Sequence, residues 1–130
     1  MAQYCVLIVE PELPVRHPVA EYLRGCGYQV LEAVNTDEAM TLLVAKENVD
    51  VVLIDAAAPG TIDVFALSKW IRQKNHRAKV LMAGTVQKVT ESAGILCEEG
   101  PHLAKPYHPQ QLLEEIKRLI AAHQRSNDEG

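Results

Sequence analysis

The residue best placed to do chemistry in this sequence is Asp55, which directly follows an aliphatic, β-branched run at residues 51–54. Such a run is typical of a buried strand, and the Pro59-Gly60 pair just beyond it is typical of a turn. In open α/β sheets, ligands bind outside the carboxyl ends of the strands, so a carboxylate here is a candidate functional group. The alternative is a structural role, in which Asp55 only caps the turn after the strand.

Five apolar stretches predict the strands that would position this carboxylate. The second of them alternates polar and apolar residues only loosely, which favours a place near the edge of a sheet. The fourth ends at Gly84, which breaks the strand pattern. The five predicted strands are residues 4–9, 28–33, 50–54, 79–83 and 102–104.

Helices are predicted between the strands. Because proline is tolerated in the first turn of a helix, the three prolines at positions 11, 14 and 18 predict that the first helix begins around residues 15–18. It should end at Gly25. Asn35 followed by Glu38 has a capping-box pattern, and Asp63 is a candidate N-cap. The later helices are placed at residues 36–46, 63–73 and 86–97, with the last one starting at Pro109.

This alternation of strands and helices predicts the fold class. Connections of this length join parallel strands through right-handed crossovers. The sequence therefore predicts a doubly wound, five-stranded parallel sheet in a three-layer α/β/α domain over residues 1–123. Residues 124–130 are polar, and we predict a disordered C-terminal tail there.

Composition argues against several classes of function. Of the 130 residues, 48% are hydrophobic and 23% charged, as in globular domains. The net charge is -4 and no basic cluster occurs, so no nucleic-acid surface is expected. No apolar run approaches the roughly 20 residues of a spanning helix, and the N-terminus lacks signal-peptide regions. We therefore expect a cytoplasmic location without membrane attachment.

The three cysteines suggest no metal chemistry. Cys5, Cys26 and Cys97 are far apart and form no Cys-x-x-Cys pair. The simplest interpretation is that all three are reduced residues of the core.

Several short motifs follow one another along the chain. They are the apolar run 6–9 with Glu10 and Glu12, then Arg16, Asp55 with Pro59-Gly60, and Lys105-Pro106-Tyr107. Each motif alone is a weak signal, but their order along the chain is specific. In this order the sequence resembles the receiver domain of bacterial two-component response regulators over about residues 3–123. The resemblance implies a flavodoxin-like sheet with strand order 2-1-3-4-5.

The same resemblance implies a phosphorylation switch, and not an enzyme. A histidine kinase or a phosphotransfer protein would donate a phosphoryl group to Asp55, beside Mg²⁺ held by an acidic pair after the first strand. Because the attacking carboxylate and the phosphoryl group are both anionic, cations must offset their repulsion. Glu10 matches the first acid of the pair, and Lys105 matches the lysine that contacts the phosphoryl group. The Lys105-Pro106 bond matches one that is often cis.

At the implied metal site the sequence departs from the family pattern. The second acid of the pair is replaced by Pro11, which has no side-chain oxygen. One carboxylate worth about 4 kcal/mol at an effective dielectric of ~20 corresponds to roughly a thousandfold in affinity. Mg²⁺ binding by Glu10 and Asp55 is therefore expected to be weak or absent, unless Glu12 supplies the missing oxygen.

Further departures fall on the switch positions of the family. The Ser or Thr that contacts the phosphoryl group at the end of the fourth strand is replaced by Gly84. Thr85 is adjacent, but a shift of one residue turns a strand side chain to the opposite face. The aromatic switch residue of the fifth strand is replaced by His102.

Two hypotheses stay open at this point. In the first, Asp55 is phosphorylated, and the face formed by the fourth helix, fifth strand and last helix changes its affinity for a partner. In the second, the domain is a phosphorylation-independent pseudo-receiver that binds a protein constitutively through that face, where a homodimer would also fit. An enzyme with a nucleophilic Asp would need a substrate pocket and further acid-base residues, and the sequence shows neither.

Overall fold

A computed structural model of the chain describes residues 3–46, 48–74, 77–84 and 102–129. The strands are β1 (Cys5–Val9), β2 (Gln29–Ala33), β3 (Val51–Asp55), β4 (Lys79–Gly84) and β5 (His102–Ala104). The helices are α1 (Leu13–Gly25), α2 (Thr36–Ala45), α3 (Val64–Lys74) and the C-terminal helix (Pro109–Glu129). The predicted fourth helix, residues 86–97, lies outside the described residues.

All five strands form one parallel sheet with the order β2-β1-β3-β4-β5. The predicted fold class and strand order are confirmed, and β2 is an edge strand as its loose alternation indicated. In the register of the centre, Val9 of β1 pairs with Ile54 of β3, and Asp55 pairs with Ala83 of β4. The carboxyl ends of β1, β3 and β4 therefore lie side by side.

The sheet divides the core into two apolar layers. Because successive side chains of a strand point to opposite faces, Val52 and Ile54 pack with α2 and α3, while Leu53 packs with α1 and the C-terminal helix. Every residue of β1 and β3 is buried. These near-continuous apolar runs are what a parallel sheet covered on both faces requires.

Helix α1 begins earlier than predicted. Its first residue is Leu13, its N-cap is Glu12, and Pro18 lies inside the helix. Pro14 falls in the first turn, where no backbone donor is needed. The missing N–H of Pro18 costs one bond, to the carbonyl of Pro14, and both prolines are exposed, so water can hydrate that carbonyl.

The predicted caps of α2 and α3 are confirmed. The Asn35 side chain accepts a hydrogen bond from the backbone N–H of Glu38 at 2.8 Å, and the Glu38 carboxylate accepts one from the N–H of Val34 at 2.9 Å. The Asp63 carboxylate accepts from the N–H of Ala66 at 2.8 Å. These caps fix where each helix leaves the edge of the sheet that carries Asp55.

The C-terminal helix is longer than predicted, because it continues to Glu129. The structure includes residues 124–129 in this helix, where the sequence predicts a disordered tail. Apolar periodicity ends at Ile120, but no glycine or proline interrupts the chain before Gly130, so backbone hydrogen bonding can propagate.

The cysteine prediction is right for one residue and wrong for another. Cys5 is buried in β1, whereas Cys26 is exposed just after α1, and both are free thiols. Cys97 lies outside the described residues. Among the helices that the structure describes, none is long and apolar enough to cross a membrane.

Candidate functional site

Three charged residues meet where the strands end. Glu10 follows β1, Asp55 is the last residue of β3, and Lys105 follows β5. In the sheet, β4 separates β5 from β3 and ends in Ala83 and Gly84. Because neither of these residues has a long side chain, the Lys105 side chain can cross the end of β4 to reach Asp55.

The Lys105 ammonium contacts both carboxylates. Its Nζ lies 3.0 Å from Asp55 Oδ1 and donates a hydrogen bond to Glu10 Oε1. Both acids are almost inaccessible, since Glu10 is 3% exposed and Asp55 is 7% exposed. The sequence predicts Lys105 beside Asp55, but it does not reveal the pairing of Lys105 with Glu10.

Backbone groups complete the surroundings of the two carboxylates. Glu10 Oε2 accepts a hydrogen bond from the N–H of Glu12 at 3.0 Å, and the Asp55 carboxylate accepts one from the N–H of Ala57. Asp55 thus caps the turn after β3, as the alternative of a purely structural role expects. The same carboxylate also faces Lys105. The N–H of Lys105 donates to the Gly84 carbonyl at 2.7 Å, and the Lys105-Pro106 peptide bond is cis.

The electrostatics of the site follow from the position of the Lys105 ammonium between two buried carboxylates, Glu10 and Asp55. Burial raises the pKa of the Asp55 carboxyl, and the charge of Glu10 acts in the same direction, while hydrogen bonds from Lys105 and Ala57 oppose the rise. Burial alone would lower the pKa of Lys105, but its bonds to Glu10 and Asp55 raise it. Lys105 therefore stays protonated, and its charge only partly offsets that of Asp55.

Tyr107 contributes an apolar ring and one hydroxyl group near the site. It is partly buried and packs against the layer formed by α1 and the C-terminal helix. Burial raises the pKa of its hydroxyl to about 12, with Lys105 opposing the rise and Glu10 and Asp55 adding to it. The hydroxyl is therefore neutral at physiological pH.

Removing the charge of Asp55 is expected to stabilise the fold. In Asp55→Asn we expect the free energy of unfolding at neutral pH to rise by about 1 kcal/mol. The raised pKa means that the folded chain keeps this proton to a higher pH than the unfolded chain. Stability of the wild type therefore falls as pH rises through a window that begins near the ordinary value of 3.8.

Urea unfolding of both proteins at neutral pH and in acid measures this difference, which should shrink as pH falls through that window. The matched control is Asp63→Asn, because Asn is as good an N-cap as Asp and the residue is exposed. A less stable Asp55→Asn at neutral pH would show that the ion pair with Lys105 outweighs the cost of burial.

A test of these residues against the requirements of Mg²⁺ gives a poor fit. The ion needs near-octahedral oxygen coordination, yet Lys105 and the N–H of Glu12 already occupy the two Glu10 oxygens. Pro11 offers no side-chain donor, and the contact that Glu12 makes here comes from its backbone while its side chain is exposed. In the described part of the chain, no three His, Cys, Asp or Glu residues are grouped so as to hold a metal.

Arg16 is a neighbour of the site whose role the sequence did not reveal. Its Nη1 donates to the Glu10 carbonyl at 2.9 Å and its Nε donates to Glu32 Oε1 at 3.0 Å. These bonds tie the turn after β1 to the end of β2. The signal available in the sequence was an arginine in the first turns of α1, which by itself indicates only a surface charge.

The loop after Asp55 is anchored to α2 by Thr36, which is fully buried. The N–H of Thr36 donates to the Pro59 carbonyl at 2.9 Å, and its Oγ1 donates to the Ile62 carbonyl at 2.8 Å. Gly60 lies against it with φ +148°, and a Cβ there would come within 1.8 Å of Thr36 Oγ1. The Pro-Gly turn is thus in close contact with the first residue of α2.

The switch positions are only partly visible. Gly84 ends β4 and contributes its carbonyl to Lys105. Thr85 lies outside the described residues. For His102 the structure gives the backbone, which pairs with Met82 in the sheet.

Comparison with known proteins agrees with this architecture. The sequence matches the family described as Response regulator receiver domain over residues 6–117. It is 29% identical over 119 residues to the transcriptional regulatory protein AruR and 25% identical over 118 residues to the phosphate regulon transcriptional regulatory protein PhoB, both of Pseudomonas aeruginosa. Each alignment covers 88% of this chain, but 48% of AruR and 51% of PhoB. The chain thus spans about half the length of these curated relatives.

Two solved structures of response regulators match over nearly their whole length. The chemotaxis response regulator CheY4 of Vibrio cholerae superposes with a TM-score of 0.79 at 25% identity, covering 91% of this chain and 99% of that one. A putative response regulator from Chloroflexus aurantiacus gives 0.80 at 29% identity, covering 92% and 99%. This agreement confirms the flavodoxin-like fold.

Proposed function

Because the chain belongs to the response regulator receiver family, we propose that it works as a signalling switch in which Asp55 accepts a phosphoryl group. The donor is a histidine kinase or a phosphotransfer protein. The single observation that supports this role is the ion pair between the buried Asp55 carboxylate and Lys105, 3.0 Å apart at the carboxyl edge of the sheet.

The proposed reaction is an in-line displacement at phosphorus. An Asp55 carboxylate oxygen forms the new O–P bond, while the P–N bond of the donor phosphohistidine breaks. The leaving imidazole departs neutral when its other nitrogen already carries a proton. With acetyl phosphate as a small donor, an O–P bond breaks and acetate leaves. Lys105 supplies positive charge beside the equatorial phosphoryl oxygens, where the transition state spreads its charge.

Intact-mass spectrometry after incubation with acetyl phosphate tests the proposal. We expect one added phosphoryl group on the wild type and complete loss of the adduct in Asp55→Asn. Asp63→Asn is the matched control, since its exposed carboxylate lies outside the site, and it should be phosphorylated like the wild type. Absence of an adduct with both the small donor and a phosphorylated histidine donor would contradict the proposal.

A phosphorylation-independent interaction module is the second candidate, and the Glu10–Lys105 pair favours it. With both carboxylates already bonded to Lys105, the site has an internally paired form that needs no phosphoryl group. Such a domain would bind a protein partner, or a second copy, through β5 and the neighbouring helices. It would then bind that partner equally well as wild type and as Asp55→Asn. Phosphorylation-dependent binding would exclude this version.

The wider role of the protein also belongs to this proposal. AruR and PhoB are named as transcriptional regulators, so an output through gene regulation is compatible with the family. The chain itself carries the receiver domain, and we propose that it signals by protein contacts without enzymatic activity of its own. A cytoplasmic location stays a prediction.

A further inference from the structure

We propose that the Lys105 ammonium takes the place of a divalent cation between Glu10 and Asp55, and that it excludes Mg²⁺ from the site while it is held there. This inference deepens the proposed function, because it concerns how the same Asp55 is regulated. It predicts a receiver domain in which a lysine of the same chain supplies the positive charge between the two acids.

The first support is the use of the carboxylate oxygens. Glu10 presents Oε1 to Lys105 and Oε2 to the N–H of Glu12, while Asp55 presents Oδ1 to Lys105 and also accepts the N–H of Ala57. A magnesium ion binds oxygens at about 2.0–2.1 Å in a near-octahedral shell. Two of the four carboxylate oxygens already contact the ammonium, so an ion bound there would compete with Lys105 for them.

The second support is charge. Two carboxylates carry two negative charges, and the Lys105 ammonium offsets one of them. In a site where Glu10 is 3% and Asp55 is 7% exposed, water screens weakly, so an entering dication and the ammonium would repel each other strongly. A third acid in place of Pro11 would favour the dication, and the chain has none there.

The third support is how firmly Lys105 is positioned. Its backbone N–H is bonded to the Gly84 carbonyl at 2.7 Å, directly after β5 pairs with β4. Its side chain is only 20% exposed. Two buried carboxylates then fix the ammonium at its far end, so the side chain is held at both ends. Its release would leave both acids unneutralised.

A consequence for the switch follows from the same geometry. Before a phosphoryl group joins Asp55, the ammonium already lies 3.0 Å from an oxygen of that side chain. Phosphoryl transfer would therefore proceed at a similar rate with Mg²⁺ and with a chelator. The Glu10 carboxylate would then share Lys105 with the phosphoryl group, and the backbone of Glu10 belongs to the turn that Arg16 ties to β2.

Metal binding tests the inference without reference to phosphorylation. Electron paramagnetic resonance of free Mn²⁺, with competition by Mg²⁺, measures binding to the wild type and to Lys105→Gln. The neutral amide keeps much of the side-chain length but frees the carboxylates, so we expect Lys105→Gln to bind at least tenfold more tightly than the wild type. Lys117→Gln is the matched control, because Lys117 is exposed on the C-terminal helix.

A second pair of variants asks whether the missing acid matters independently. Pro11→Asp adds a carboxylate and Pro11→Ala adds none, so only the first should gain affinity. The double variant Pro11→Asp with Lys105→Gln should bind most tightly of all. If Pro11→Asp alone binds as tightly as the double variant, Lys105 does not exclude the ion and the inference is overturned.

One further outcome would also overturn it, namely a Lys105→Gln protein that is folded but binds Mn²⁺ no more tightly than the wild type. If the variant fails to fold, the ¹⁵N resonance of the Lys105 ammonium in the wild type decides the question. It should not respond to added Mg²⁺, and a shift would count against the inference. None of these results depends on whether a phosphoryl adduct forms.

Discussion

Asp50→Ala is expected to lower the free energy of unfolding by roughly 2–3 kcal/mol. Asp50 precedes β3 and is 7% exposed. Its Oδ2 accepts the N–H of Cys5 at 2.8 Å, and its Oδ1 accepts Nε of Arg77 at 2.7 Å. Cys5 is fully buried, so alanine would leave its N–H without a partner away from water. Chemical denaturation followed by circular dichroism measures the loss.

Two control variants separate the hydrogen bond from the charge. Asp50→Asn keeps an oxygen that can accept the Cys5 N–H and should cost less than alanine. Arg77→Gln removes only the ion pair, and because the Arg77 side chain is 49% exposed it should cost well under 1 kcal/mol. Equal losses in Asp50→Ala and Arg77→Gln would contradict this account, since they would assign the stabilisation to the ion pair.

The second large effect is expected at Gly60. Gly60→Ala should destabilise the domain by about 3 kcal/mol, because the new methyl group would overlap Thr36 Oγ1 and the φ of +148° is unfavourable for any L side chain. Thr36 cannot simply rotate away, since its hydroxyl is bonded to the Ile62 carbonyl in a fully buried position. Thermal unfolding measures the loss.

Two other glycines supply graded controls for this prediction. Gly27 has φ +98°, but a methyl group added there would meet nothing within 4 Å, so Gly27→Ala tests backbone strain alone and should cost about 1 kcal/mol. Gly25 has neither feature, and Gly25→Ala should be close to neutral. If Gly60→Ala costs no more than Gly27→Ala, the contact with Thr36 is not what requires glycine.

The sequence predicted the sheet well because its signals are local and strong. Strand β1 is apolar throughout, and β3 is apolar up to its last residue, Asp55, because both faces of the sheet are covered. The edge strand β2 shows only a loose alternation of polar and apolar residues. The caps at Asn35 and Asp63 were predicted for the same reason, since a cap depends on residues a few positions apart. The site could be placed at the carboxyl edge once the strands were known to be parallel.

The sequence could not predict contacts between residues that are far apart along the chain but close in the fold. The pairing of Lys105 with Glu10 joins residues 95 positions apart. They meet because the Lys105 side chain crosses the end of β4, where the residues are small. The contact of Gly60 with the buried Thr36 likewise depends on how the loop after β3 packs against α2. At α1, proline chemistry predicts a start around residues 15–18, whereas the helix begins at Leu13 and keeps the exposed Pro18 inside it.

The acidic residues at the two ends of β3 have different roles. Asp50 at one end joins three strands, and Asp55 at the other faces the signalling edge, with a strand of roughly 15 Å between the two carboxylates. At that separation, substitutions at the two ends should act as independent increments. The residues around Asp55 can therefore diverge in evolution, or be redesigned, while the stabilising contacts of Asp50 are kept.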